Sequence, residues 1–215
     1  MSGRAMNKKY LRRNLLLIAA LAAFGGCDAP PTQLPLDSAP LAGAAIGAPF
    51  TLTDQTGKPR SSAEWDGSFQ IVYFGYTNCP DICTPDTQNL MAGLKLFEQS
   101  EPKLGAKIQP LFITIDPQRD TPDVLAQFVR AFHPRLIGLT GPPDQIAAVT
   151  KSYAIYASRT EGSRPDAYLM SHSQTPYLMG PGNKPLALMP VDDPKTEANE
   201  GRPQAVVAEL AKWVR

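Results

Sequence analysis

The hydrophobic and polar positions divide the chain into three zones. Residues 15–24 are an unbroken apolar run behind a basic stretch, residues 28–45 have no periodicity, and from residue 46 onward short alternating and helical patterns follow one another. In the third zone, residues 50–54 alternate and end in a turn at Gly57, which predicts a strand and a hairpin turn at the N-terminal side of the domain. Residues 61–67 read as a loop with one helical turn. Residues 70–76 are almost wholly apolar, the pattern of a strand covered on both faces. A helix is predicted to open around Thr84, a good N-cap, with Pro85 at its first helical position and Leu90, Met91, Leu94 and Phe97 on its core side. A second buried strand covers residues 107–116, and a second helix starts at Thr121-Pro122 with Val124, Leu125, Phe128, Val129 and Phe132 inward. Then come a short strand over 136–140, a helix from 142 to about 153, a strand over 168–179, its hairpin partner over 185–189, and a closing helix over 202–213. This succession predicts an α/β layered domain with an N-terminal β-hairpin: a central mixed β-sheet flanked by helices on both faces.

The first zone reads as targeting. Lys8, Lys9, Arg12 and Arg13 precede the run from Leu15 to Phe24, which is short for a permanent membrane span. The ending Phe24-Gly-Gly-Cys27 is similar to a bacterial lipoprotein signal. On that reading residues 1–26 are a cleaved leader, Cys27 carries lipid, and residues 27–45, rich in Pro, Ala and Asp, tether a domain spanning 46–215. An uncleaved signal anchor is the competing reading, and Arg12-Arg13 also permits a twin-arginine route. Each version delivers a membrane-attached domain to the periplasmic face of the bacterial cytoplasmic membrane.

Composition narrows the function. A formal net charge of +1, with no basic run beyond the N-terminus, gives no support for a nucleic-acid partner. A hydrophobic content of 43% suffices for one real core, and 22 prolines favour a loop-rich domain over a helix bundle. Of three cysteines, only Cys79 and Cys83 remain if Cys27 carries lipid.

That pair lies where a strand hands over to a helix, a position that exposes side chains at the carboxyl edge of a sheet and lets a helix N-terminus stabilise a thiolate. A disulfide closing so small a loop would be a poor staple. A thioredoxin-type dithiol normally has two intervening residues; here there are three, Pro80, Asp81 and Ile82. Two thiolates are too few for a closed zinc site, whereas two thiolates with one imidazole suit copper in either common oxidation state. The chain has two histidines. His133 precedes Pro134 at a helix end and reads as structural. His172 interrupts a strand between Ser171 and Ser173, and the residues alone leave ligand and structural roles equally open. Met170 and Met179 are soft donors, although packing roles suit them better.

Four motifs then carry a resemblance: Tyr73-Phe-Gly-Tyr-Thr-Asn-Cys79-Pro-Asp-Ile-Cys83, Thr114-Ile-Asp116-Pro-Gln-Arg-Asp-Thr-Pro122, Leu139-Thr-Gly141, and Tyr168-Leu-Met-Ser-His172-Ser leading to Tyr177-Leu-Met-Gly-Pro-Gly-Asn183. Over residues 46–215 the chain resembles the Sco/SenC family of copper-binding, thioredoxin-like proteins. The resemblance implies a thioredoxin-like fold and one copper ion per domain, Cu(I) or Cu(II), held by Cys79, Cys83 and His172. It implies a metallochaperone rather than an enzyme, acting in assembly of the dinuclear copper centre of cytochrome c oxidase. The partner would be the copper-bearing oxidase subunit or another copper assembly factor. The alternative is a thiol–disulfide oxidoreductase using Cys79 and Cys83 to keep the oxidase's copper-site cysteines reduced, itself served by a periplasmic thiol reductase. A copper or redox sensor is a third class. Asp116 is expected to tune the metal or a docking surface, or to cap its own turn. The sequence departs from the family pattern at Thr84, where proline is common, and in its lipid tether. The acidic loop over 191–201 has no assigned role.

Overall fold

The computed structural model describes residues 33–160, 168–193, 195–196 and 198–215. The leader, Cys27 and the tether up to residue 32 lie outside the described residues. Among the described residues, no helix is long and apolar enough to cross a membrane.

The strands are β1 Thr51–Asp54, β2 Pro59–Ser61, β3 Phe69–Gly75, β4 Ile108–Thr114, β5 Ile137–Thr140, β6 Ala157–Thr160, β7 Leu169–His172, β8 Tyr177–Gly180 and β9 Lys184–Leu188. The principal helices are α1 Cys83–Ser100, α2 Pro122–Arg130, α3 Pro143–Ser152 and α4 Pro203–Trp213. Seven strands form one mixed sheet in the order β2-β1-β5-β4-β3-β8-β9. β3, β4 and β5 run parallel, while β1, β2, β8 and β9 add antiparallel pairs at the two sides. The β1–β2 pair is the hairpin expected at the N-terminal side.

Every residue of β3 is buried, as its continuous apolar run requires of a strand covered on both faces. Alternation along the strand sends Tyr73 and Phe74 to opposite faces. On one face Tyr73 meets Phe112, and Phe112 meets Phe128 of α2 with ring centroids 4.8 Å apart. On the other, Tyr153 just after α3 packs on Phe74 at 5.1 Å. Helices therefore cover both faces. α4 lies against α1, where Val206 approaches Gly93.

Three local expectations meet a different outcome. α1 opens at Cys83, not Thr84, with Ile82 as a cap that makes no side-chain hydrogen bond. Pro85 then falls in the third helical position, where no intrahelical N–H bond is needed, so the proline tolerates the earlier start. The run 168–179 is two strands: β7 pairs with β6, and β8 pairs with β3. Pro176, which cannot donate to a ladder, sits in the break. Finally, residues 33–45, expected to be tether, lie against the domain. Leu41 N–H donates to the Leu186 carbonyl at 2.9 Å, Gln33 reaches the Val214 carbonyl at 2.8 Å, and Ala39 is buried. Leu36, Ala39 and Leu41 give this segment apolar contact without any periodicity in the sequence.

Candidate metal centre

The carboxyl ends of β3 and β4 are level, with Gly75 opposite Thr114. The chain leaves β3 through Tyr76 and Thr77, turns at Cys79, and enters α1 at Cys83. Cys83 is fully buried in the first turn of the helix, and Cys79 is half-buried beside it. Both are free thiols. Two local bonds hold the turn: Cys79 N–H donates to the Tyr76 carbonyl at 3.3 Å, and the Thr87 side chain donates through Oγ to the Cys83 carbonyl at 2.6 Å. Gly75 makes the room. A Cβ there would lie 3.1 Å from Phe112, 3.2 Å from the Cys83 sulfur and 3.2 Å from Tyr73.

The two sulfurs divide one proton unequally. Cys79 accepts a hydrogen bond from Cys83 and the backbone N–H of Cys83 at 3.4 Å, and its pKa falls to about 3. The same sulfur–sulfur hydrogen bond, together with burial, pushes Cys83 up. The site thus presents a half-exposed thiolate next to a buried thiol. Beneath it, burial raises Asp86 to about 6, and its carboxylate accepts from Tyr73 Oη at 3.0 Å.

The imidazole arrives from elsewhere. His172 ends β7 in a two-stranded ribbon that shares no ladder with the main sheet, and it pairs with Ala157. Its Nδ1 lies 2.9 Å from the Ser173 carbonyl, which can only accept, so Nδ1 carries the proton. In the neutral ring that leaves the Nε2 lone pair facing Cys83 Sγ at 3.3 Å. The Tyr76 ring stands edge-on to the imidazole, centroids 6.0 Å apart at 84°. One donor atom each from Cys79, Cys83 and His172 lie within 4.8 Å of one another, a group that could hold a metal ion. Two soft sulfurs and an oriented imidazole nitrogen fit copper in chemistry as well as in number.

The loop after β4 frames this group without adding a donor. Asp116 is buried; it accepts from Arg119 Nε at 2.5 Å and from Tyr168 Oη at 2.6 Å. It therefore lies in a polar network with Arg119 and with Tyr168, which leads into β7, and caps no backbone in its own turn through that carboxylate among the described bonds. Asp120, fully buried, accepts from Thr77 N–H at 3.0 Å, Thr77 Oγ at 2.6 Å and Thr114 Oγ at 2.6 Å. It ties the cysteine turn to the end of β4. Burial raises its pKa despite these three donors. Sequence reasoning singled out Asp116 but not Gly75, Tyr76, Arg119 or Asp120. All four sit inside the motifs quoted above, which was the only available signal. His133 is structural as expected: it is buried with Nε2 3.2 Å from Glu98, which also pairs with Arg135. Met179 is fully buried in β8 and packs in the core, and Met170 packs partly against it.

Comparison with known proteins agrees with this arrangement. The SCO1/SenC family model matches residues 38–206. Saccharomyces cerevisiae Protein SCO2, mitochondrial, is 45% identical over 138 residues, covering 64% of this chain and 45% of the relative. The SCO2-like protein of Rickettsia felis is 37% identical over 156 residues, covering 72% of this chain and 74% of that protein. Against the mitochondrial relatives the chain spans about half of their length. Among solved structures, Bradyrhizobium japonicum ScoI with copper bound superposes with a TM-score of 0.67 at 32% identity, covering 79% of this chain and 100% of that one. Yeast Sco1 with copper bound gives a TM-score of 0.61 at 39% identity, covering 67% and 78%. The fold and site together define a thioredoxin-like α/β domain bearing a two-cysteine, one-histidine donor group. The chain belongs to the SCO1/SenC family.

Proposed function

We propose that this domain is a copper metallochaperone that binds one copper ion through Cys79, Cys83 and His172 and serves assembly of the dinuclear copper centre of cytochrome c oxidase. The observation that carries the reading is the convergence of two sulfurs and an imidazole nitrogen within 4.8 Å, delivered by elements 89 residues apart in sequence. Relatives at 32% and 39% identity hold copper in their solved structures, which supports the same cargo here. Family membership supports the oxidase role and, with it, a partner that is the copper-bearing subunit or another assembly factor. Thiolates suit Cu(I), and the imidazole adds the nitrogen that helps retain Cu(II). The half-exposed Cys79 leaves a side of the group open, so an incoming partner thiolate can displace it stepwise. The leader and Cys27 place the domain, on this proposal, at the periplasmic face of the cytoplasmic membrane on a lipid anchor.

A second reading draws on the low pKa of Cys79: a half-exposed thiolate beside a thiol is also the starting state of a thiol–disulfide oxidoreductase. Titration separates the two. The metal-depleted domain should take up about one equivalent of copper, and His172→Ala should weaken Cu(II) binding and fail to support oxidase maturation in cells. Uptake well below one equivalent, or full maturation with His172→Ala, would remove the chaperone reading and leave the dithiol one.

A further inference from the structure

The histidine ribbon is built apart from the main sheet. β6 and β7 form a sheet of their own. Among the described residues, and apart from the His172–Cys83 contact itself, the polar ties from β7 and from the Tyr168 that leads into it to the ends of β3 and β4 and the loop after β4 run to three side chains, Tyr76, Asp116 and Arg119. Met170 N–H donates to Tyr76 Oη at 3.2 Å. Arg119 takes part in the other two: its Nη1 donates to the Tyr168 carbonyl at 3.0 Å, and its Nε holds the Asp116 carboxylate, which accepts directly from Tyr168 Oη at 2.6 Å. The guanidinium also lies over the Tyr168 ring, 3.8 Å from its centroid, and 5.8 Å from that of Tyr76. Arg159 stacks on Tyr168 as well, at 3.8 Å, so the ring is held between two guanidinium groups.

We propose that Arg119 is a positioning residue: it latches the β6–β7 ribbon to the loop after β4 and so sets where His172 stands relative to Cys79 and Cys83. The chemistry of arginine suits the task. Its planar fork bonds the Asp116 carboxylate and the Tyr168 carbonyl together and still offers a face to aromatic rings; lysine would offer a single point of attachment. The ribbon needs such a latch because an isolated two-stranded hairpin is marginally stable in water. Arg119 touches none of the three donor atoms through any bond described above, so its effect on the site passes through the ribbon. Asp120, on the same loop, holds the cysteine turn through Thr77. One loop that supplies no ligand thereby supports both halves of the donor group.

The purpose of the latch rests on the copper reading, so its test begins without metal. Amide hydrogen exchange is followed residue by residue on the metal-free full chain and on Arg119→Ala, Arg119→Lys and Tyr168→Phe. In Arg119→Ala the Met170 amide and the amides of β6 and β7 should exchange about tenfold faster or more, because a hydrogen bond to a charged group is worth at least a decade in an equilibrium constant. The amides of β3 and β4 should keep wild-type rates. Arg119→Lys should fall between the two. Should Arg119→Ala fail to fold, Tyr168→Phe, which removes only the hydroxyl bond to Asp116, should still accelerate the ribbon alone. Unchanged ribbon exchange, or equal acceleration across the whole fold, would overturn the latch. With Cu(II) added, nitrogen coupling in the electron paramagnetic resonance spectrum should weaken in Arg119→Ala while Cu(I) uptake by the thiolates persists; undiminished nitrogen coupling would also overturn it. Absence of copper binding in the wild type would instead remove the chaperone reading, leaving the exchange rates to judge the latch.

Discussion

Replacing Asp120 with Ala should separate the site's scaffold from its ligands. The carboxylate is fully buried and accepts three hydrogen bonds, one from a backbone N–H and two from threonine hydroxyls. Hydrogen bonds to a charged acceptor are worth about 1.5–3 kcal/mol each, and stranding a buried donor carries a similar penalty. The hydroxyls of Thr77 and Thr114 can turn toward other acceptors, whereas the Thr77 N–H cannot. Removing the carboxylate also relieves the burial that pushes its pKa up. The net loss should be about 3–5 kcal/mol, a large part of the roughly 5–15 kcal/mol that holds an ordinary domain folded. Asp120→Asn is the informative companion. With its carbonyl where Oδ2 now lies, it still accepts from Thr77 N–H and Thr114 Oγ, and its amide group can donate to Thr77 Oγ. It should lose only about 1 kcal/mol. Equilibrium unfolding in urea, followed by the fluorescence of the buried Trp65 and Trp213, measures both variants on metal-depleted protein. Because Thr77 lies two positions before Cys79, Ala should also weaken Cu(I) binding in a chelator competition, and Asn should do so much less. If Ala and Asn lose the same stability, or if Ala loses under about 1 kcal/mol, the carboxylate does not organise the cysteine turn and the reasoning fails.

Other consequences follow from the same geometry. Iodoacetamide at pH 6 should alkylate Cys79, whose pKa lies near 3, and spare the buried Cys83; peptide mapping that finds equal labelling would contradict the division of the proton. In Gly93→Ala the new methyl would come within 2.4 Å of Val206 Cβ and 2.9 Å of the Pro203 carbonyl. It should therefore force α1 and α4 apart and destabilise by about 1–3 kcal/mol despite alanine's better helix propensity, read as a lower melting temperature. Asp86 has its pKa raised from 3.8 to about 6, chiefly by burial. The folded protein thus keeps a proton that the unfolded chain releases first, and this group's contribution to stability, full below pH 3.8, is lost as pH rises to about 6. The change amounts to about 3 kcal/mol. Asp86→Asn should flatten the stability curve between those pH values, and an unchanged slope would assign the titration to another group.

Much of the fold was legible because its strands and helices carry strong local patterns. The apolar run of β3 and the helical spacing of Leu90, Met91, Leu94 and Phe97 named their elements directly. The α1 cap was expected at Thr84, two residues past the observed Ile82, because Thr84-Pro85 is a good local start; the buried Cys83, whose sulfur lies close to Gly75, opens the helix instead. The ribbon was harder to see. The run from Tyr168 to Met179 alternates throughout, and alternation says only that one face is covered, not by which partner. The covering of residues 33–45 was likewise invisible, since Leu36, Ala39 and Leu41 gain their contacts from distant β9 and its neighbours.

The sequence by itself determined the class of the protein: the cysteine pair at a strand-to-helix turn, the lone strand histidine and the motifs around them were enough to name the family and the three donors. Tertiary structure alone decided how those donors meet. It put His172 on a separate ribbon, aimed its Nδ1–H at the Ser173 carbonyl, and bonded one loop to both the cysteine turn and the ribbon. The reason is physical. Residue type and local spacing fix which chemistry is possible, but hydrogen bonds such as Thr77 to Asp120 and Tyr168 to Asp116 join residues 43 and 52 positions apart, and only the folded chain pairs them.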